Sequence, residues 1–159
     1  MGQSKETRLL RNYLKDLKTN TGVVSYKIHG DPMQVAGIPD VLMCVDGSFV
    51  GLEAKQITDK GTLDINSLLS KVQHVELENI AKAGGKARVV VFIQYKKFRA
   101  TGIFRYSKEM PVIDLKADVF DIIRDGVKGY KNTSDEYDLF GYIYIHNRSS
   151  HIHYFWSTL

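Results

Sequence analysis

The sequence predicts a mixed α/β domain, and three observations carry that prediction. An amphipathic helix opens the chain, two short strands meet across Asp46-Gly47, and a second helix leads into the nearly all-apolar run 87–94. Asp-Gly between apolar runs is the strongest short hairpin signal a sequence carries. A short apolar run bounded by turn signals reads as a strand buried on both faces. Strands joined through a helix in one sheet become parallel neighbours by a right-handed crossover. A hairpin joined to such a pair gives a mixed central sheet flanked by helices.

Residues 4–18 form the first helix. At about 100° per residue, Leu9, Leu10, Tyr13, Leu14 and Leu17 share one face, with Arg8, Arg11, Lys15 and Lys18 opposite. Thr21-Gly22 ends it. Residues 23–29 alternate like a strand, with Val24, Tyr26 and Ile28 on one side. Gly30 to Gly37 is a loop, and strands follow at 41–45 and 49–55. The second helix spans 68–83 and closes on Gly84-Gly85, a C-cap. The order α-β-β-β-α-β occupies residues 4–94. Beyond it we expect a strand near 102–106, a helix near 117–124, and a terminal hairpin of 141–146 with 151–156.

With 159 residues and 18.1 kDa the chain fits one domain, 1–159, with 95–159 an extension for substrate or dimer contacts. No run approaches the ~20 apolar residues of a membrane helix, and the charged N-terminus does not read as a signal peptide. One cysteine, Cys44, excludes an internal disulfide framework. We expect an intracellular, cytoplasmic protein. Net charge is +4 but segregated. Lys82, Lys86, Arg88, Lys96, Lys97, Arg99, Arg105 and Lys108 fall in 79–108 without an acid, while acids dominate 109–138. Such segregation fits a polyanion-facing side. An accident of surface charge is the bland alternative.

The hairpin is where chemistry gathers. If Asp46-Gly47 is a two-residue loop, Val45 faces Ser48 and counting back sets Asp40 opposite Glu53. Cross-strand partners have Cβ atoms roughly 4.5–5.5 Å apart, and like charges there destabilise a sheet. Facing carboxylates need a cation or a shared proton. Period two places Lys55 on the face of Glu53. Two acids and an amine at one hairpin end make a divalent-metal site with an adjacent base or electrostatic stabiliser. Glu6 sits amid the first helix's apolar face, where a bare carboxylate is costly. Gln73 shares a stripe with Leu69, Leu77 and Ile80. A frayed helix end and a satisfied core amide remain the plainer accounts of these two.

Gly37-Ile38-Pro39-Asp40, twelve residues, then Glu53-Ala54-Lys55 resembles the PD-(D/E)xK motif of the restriction-endonuclease-like nuclease superfamily. The Glu in the first helix and the helical Gln before Ala-Gly-Gly extend the resemblance over residues 4–94. Lys27-Ile28-His29-Gly30, Gly-Ile-Pro-Asp, Leu-Glu-Ala-Lys and the Ala-Gly-Gly cap resemble VRR-NUC nucleases, common in phages. Glu-Ala-Lys with the apolar strand after Gly-Gly is similar to RecU-type Holliday junction resolvases. The resemblance implies that Asp40, Glu53 and the Ala54 carbonyl hold Mg²⁺ or Mn²⁺, with Glu6 completing the site directly or through water. It implies that Lys55 orients or deprotonates the attacking water and that Gln73 positions Lys55 or the phosphate. Lys27 and His29, near the same sheet end, are expected phosphate contacts, although a solvated strand face explains them equally. Lys96, Lys97 and Arg99 are expected to bind DNA.

Other features weigh less. No carboxylate or cysteine joins His146, His151 and His153, which argues against zinc. Tyr95, Phe98, Phe104 and Tyr106 interleave with bases as in single-strand platforms, although at strand spacing they also suit a core. The leading expectation is a metal-dependent DNA endonuclease acting on branched DNA. Sequence-specific restriction or homing-type cutting and a catalytically silent DNA-binding module are the alternatives. Paired cutting of a junction would require a homodimer, and the apolar, aromatic-rich terminal hairpin (Tyr142, Tyr144, Ile152, Tyr154, Phe155, Trp156) is its candidate interface, although a second core layer is an equal use for it.

Overall fold

A computed structural model of the chain describes residues 4–21, 23–28, 36–131 and 139–145. Helix α1 spans Lys5–Thr21, and strands β1 Val24–Lys27, β2 Val41–Val45 and β3 Ser48–Thr58 follow. A short excursion holds β4 Thr62–Leu63 and α2 Ile65–Leu68. Helix α3 (Lys71–Lys82) then returns the chain to β5 (Lys86–Tyr95) and β6 (Phe98–Arg105). The chain closes with β7 Ile113–Asp114, α4 Leu115–Asp125, β8 Val127–Lys131 and β9 Leu139–Ile145. Seven strands form one sheet in the order β1-β2-β3-β5-β6-β9-β8, while β4 and β7 pair separately. Among the described residues only β3 and β5 run parallel. The fold is mixed α/β, a mixed central sheet between helices, in the αβββαβ order expected.

Each local cause is visible. Asp46 and Gly47 both adopt positive φ, 49° and 78°, as the two-residue type I′ turn that matches the strands' right-handed twist demands, and Val45 faces Ser48. On one face of the sheet α1 lays Leu10, Tyr13 and Leu17 over Val41, Leu52, Val90 and Phe92. On the other, α3 and α4 bring Leu77, Leu115 and Ile122 against Ile57, Val89, Val91 and Ile143. Strands β3 and β5 are therefore sandwiched, which is why they read as apolar runs. At β9, a Cβ on Gly141 would meet the Phe104 ring and the Ile103 carbonyl, so the central rows close only over glycine.

Four expectations change. The helix predicted over 68–83 begins at Lys71, because Ser70 and Gln73 form a reciprocal capping box that starts a new helix there. Strand β1 has the predicted alternation, but it is an edge strand. Its Val24 and Tyr26 are 56% and 68% exposed, with no layer over them among the described residues. The strand expected near 102 starts at Phe98, since Lys96-Lys97 makes a tight turn straight out of β5. Of the expected pairing of 141–146 with 151–156, the second strand lies outside the described residues. Both edges of β9 are taken, by β6 and β8, so the extension's hairpin is β8–β9. Tyr142 and Tyr144 are consequently buried core and not interface. Ile152, Tyr154, Phe155 and Trp156 lie outside the described residues, as do His146, His151 and His153.

Candidate active site

The site begins in the approach to β2. Gly37 takes a φ of +88°, and Val72 of α3 occupies the space a side chain there would need. Glycine thus lets the loop close onto α3 before Pro39, which is buried, delivers Asp40 to the strand end. Val41 pairs with Leu52, so the next positions, Asp40 and Glu53, stand across from one another as the register count required. Asp40 is held from both sides. Its Oδ2 accepts the Ala54 N–H at 2.8 Å, and its carbonyl accepts the Ile28 N–H at 2.8 Å.

Glu53 is only 2% exposed. Its Oε1 accepts from Lys55 Nζ at 3.1 Å and from Gln73 Nε2 at 2.5 Å. Burial above all, and then the neighbouring Asp40 carboxylate, pushes the Glu53 carboxyl up to about 7, while Lys55 pulls the other way. Glu6 reaches the same centre from α1. Burial raises its carboxyl, Lys55 opposes the shift and Asp40 adds to it. The fold therefore gathers Glu6, Asp40, Glu53, Lys55 and Gln73. Gln73 meets Glu53 rather than Lys55, a partner that helical spacing alone does not single out. Its carbonyl oxygen meanwhile accepts the Ser70 N–H at 2.9 Å, so one side chain both caps α3 and grips the acid. The Ser-x-x-Gln spacing at 70–73 carried that signal.

In an antiparallel ladder a residue's N–H and carbonyl point to the same edge. The Ala54 carbonyl is thereby directed toward the edge where Asp40 ends β2. Carboxylates and a carbonyl are hard oxygen donors, and they fit a hard divalent cation better than zinc. Among the described residues no three His, Cys, Asp or Glu side chains form a ready-made ligand cluster. A cation here would draw on the backbone and on water as well.

The expected DNA contacts divide. Lys27 is half-buried at the end of β1, paired with Val41 beside Asp40. His29 lies outside the described residues. Lys96 and Lys97 are exposed at the β5–β6 turn, and Arg99 is exposed on β6. Lys55 pairs with Val91, and five residues of strand, about 17 Å, separate Val91 from Lys96. Across from Arg99, Gln94 accepts the Lys5 ammonium at 2.8 Å, tying this basic turn to the helix end that carries Glu6. The basic stretch 79–108 is not one continuous face. Lys82 and Lys108 both pair with Glu78, at 2.9 and 3.0 Å. Arg88 is 6% exposed and depressed to about 10 by burial and by Arg105 opposite it. Phe104 is fully buried, and Phe98 and Tyr106 pack on the core, so the aromatic series there is mostly structural.

No protein-family model matches the chain, and no curated protein matches it. Among solved structures it is similar to Hjc, a Holliday junction resolvase from the archaeal hyperthermophile Archaeoglobus fulgidus. That similarity has a TM-score of 0.49 at 18% identity and covers 72% of this chain and 92% of that one.

Proposed function

We propose that the protein is a divalent-metal-dependent DNA endonuclease that hydrolyses phosphodiesters in branched DNA. The observation that carries this reading is the meeting of Asp40 with Glu53, with Lys55 Nζ 3.1 Å from the Glu53 carboxyl. Asp40, Glu53, the Ala54 carbonyl and Glu6 would hold Mg²⁺ or Mn²⁺. When bound, that cation supplies charge neutralisation and Lewis acidity at the scissile phosphate. Lys55 is the catalytic residue. Its ammonium, 3.1 Å from the Glu53 carboxyl, would orient the attacking water and face the developing phosphate charge. Gln73 is a positioning residue, holding the Glu53 carboxyl from the side of α3. Lys96, Lys97 and Arg99 bind the phosphate backbone, and Lys27 reaches it beside Asp40.

Two opposed strands of a junction need two active sites, so a resolvase would act as a homodimer. Cleavage of a panel of four-way junctions, flaps, single strands and random-sequence duplexes, with Mg²⁺ and with a chelator, tests the reading. Metal-dependent cutting of the branched members at least tenfold faster than the linear duplex is expected. Equal cutting of all members would remove the branch preference, and no cutting of any would remove the nuclease.

A further inference from the structure

A groove of about 800 Å³ opens beside the candidate active site, between α1 and the β6–β9 part of the sheet. Its volume lies within the usual range of small-ligand pockets. Leu9, Phe98 and Ile145 give it apolar walls, Asn12 and Asp16 of α1 form one polar rim, and Lys97 and Arg99 form the opposite, cationic one. Leu9 and Arg99 also line a small pocket with Lys5 and Gln56, which stand next in sequence to Glu6 and Lys55. Along α1, Asn12 is about 9 Å and Asp16 about 15 Å beyond Glu6. A strand leaving the centre therefore meets the groove within a few nucleotides.

A closed duplex presents sugar and phosphate outward, and apolar walls have nothing to bind there. An unstacked base does need such walls, together with cations that track its backbone. Asp16 repels phosphate but accepts hydrogen bonds from the amino groups of bases, which orients a nucleotide with its phosphate toward β6 and its base edge toward α1. We propose that this groove holds the unpaired strand of the substrate, its phosphates against Lys97 and Arg99 and a base between Leu9, Phe98 and Ile145. The inference rests on the nuclease reading and narrows its substrate to DNA with a single-stranded arm next to the cut.

Photocrosslinking tests it without reference to activity. The full chain is bound in chelator to a flap carrying 5-iododeoxyuridine in either the unpaired or the paired arm, irradiated and mapped by mass spectrometry. The unpaired arm is expected to mark peptides containing Tyr13 or Phe98, and the paired arm to leave them unmarked. Asn12→Trp, which fills the exposed rim, should weaken flap binding at least tenfold with an unchanged melting temperature. Independently, Lys97→Gln with Arg99→Gln should flatten the log–log salt dependence of single-strand binding by about 1.4, two contacts at roughly 0.7 each. An arm that leaves Tyr13 and Phe98 unmarked, as it would were the groove filled by protein, overturns the inference, and so does an unchanged salt slope. If Mg²⁺ then supports cleavage by the wild type, only the groove has failed. Correct crosslinks without any cleavage would instead keep the groove and remove the nuclease.

Discussion

Glu53 concentrates the chemistry because its carboxyl is buried and faces a second acid. Between pH 4.5 and about 7 the folded chain keeps a proton on Glu53 that the unfolded chain has released. Where the unfolded state binds fewer protons, stability falls as pH rises. In chelator, the stability of the wild type relative to Glu53→Gln should therefore drop by about 3 kcal/mol between pH 4 and pH 8, at about 1.4 kcal/mol for each tenfold difference in proton affinity between the folded and unfolded chains. Urea titrations across that range check it, and a flat or rising difference would contradict the pairing. Asp40→Asn should remove only part of the slope, because burial outweighs Asp40 as its cause. Glu6 makes a separate claim. Glu6→Gln should raise the Mg²⁺ concentration needed for half-maximal cleavage several-fold and leave the melting temperature in place, whereas a frayed helix end would change neither. The facing acids were legible in the sequence because a two-residue turn fixes register to a single residue. The Gln73–Glu53 contact was not, because it joins a helix to a strand and no local pattern encodes that docking.

At the scale of elements, α3 determines whether the site is assembled. Its start is set by Ser70, whose hydroxyl accepts the Gln73 N–H at 3.2 Å while Gln73 reciprocates. Ser70→Ala should cost about 1 kcal/mol of stability, as lost N-caps do. It should also lower cleavage beyond what stability explains, because Gln73 then loses the geometry that aims it at Glu53. Thermal melts with single-turnover rates separate the two effects, and a rate unchanged at full occupancy of the fold would contradict the positioning role. Leu77, fully buried beneath the same helix, should cost about 2–5 kcal/mol when cut to alanine. Helical periodicity predicted this element and its apolar face. It started the element at 68, ahead of Lys71, because the leucines at 68 and 69 continue the stripe across the capping box. The edge position of β1 was illegible for a related reason, since alternation reports that a strand has two faces and not that a second layer covers one.

For the whole molecule, topology decides which charges and aromatics are available. That β9 has neighbours on both sides, β6 and β8, is a long-range fact that local alternation cannot carry. The same folding removes Arg88, Lys82 and Lys108 from the basic stretch and leaves Lys96, Lys97 and Arg99 exposed near one end of the sheet. Removing those three charges together should flatten the salt dependence of flap binding by about two units on a log–log plot, at roughly 0.7–0.9 per phosphate contact. A slope unchanged within error would place the phosphate contacts elsewhere. The αβββαβ core was legible because its strands and helices follow one another locally. Beyond residue 95, α4 and β9 fell close to their expected spans, 117–124 against Leu115–Asp125 and 141–146 against Leu139–Ile145.

The central claim is that Asp40 and Glu53 together form a divalent-cation site that drives phosphodiester cleavage. Cleavage of a labelled flap, followed against Mg²⁺ concentration for the wild type and for Asp40→Ala and Glu53→Ala, tests it most directly. The account predicts saturable, chelator-sensitive cutting by the wild type and a loss of at least a thousandfold in each variant, with flap affinity in chelator retained. Cutting within tenfold of wild type by either variant, or cutting by the wild type that persists undiminished in chelator, would contradict it.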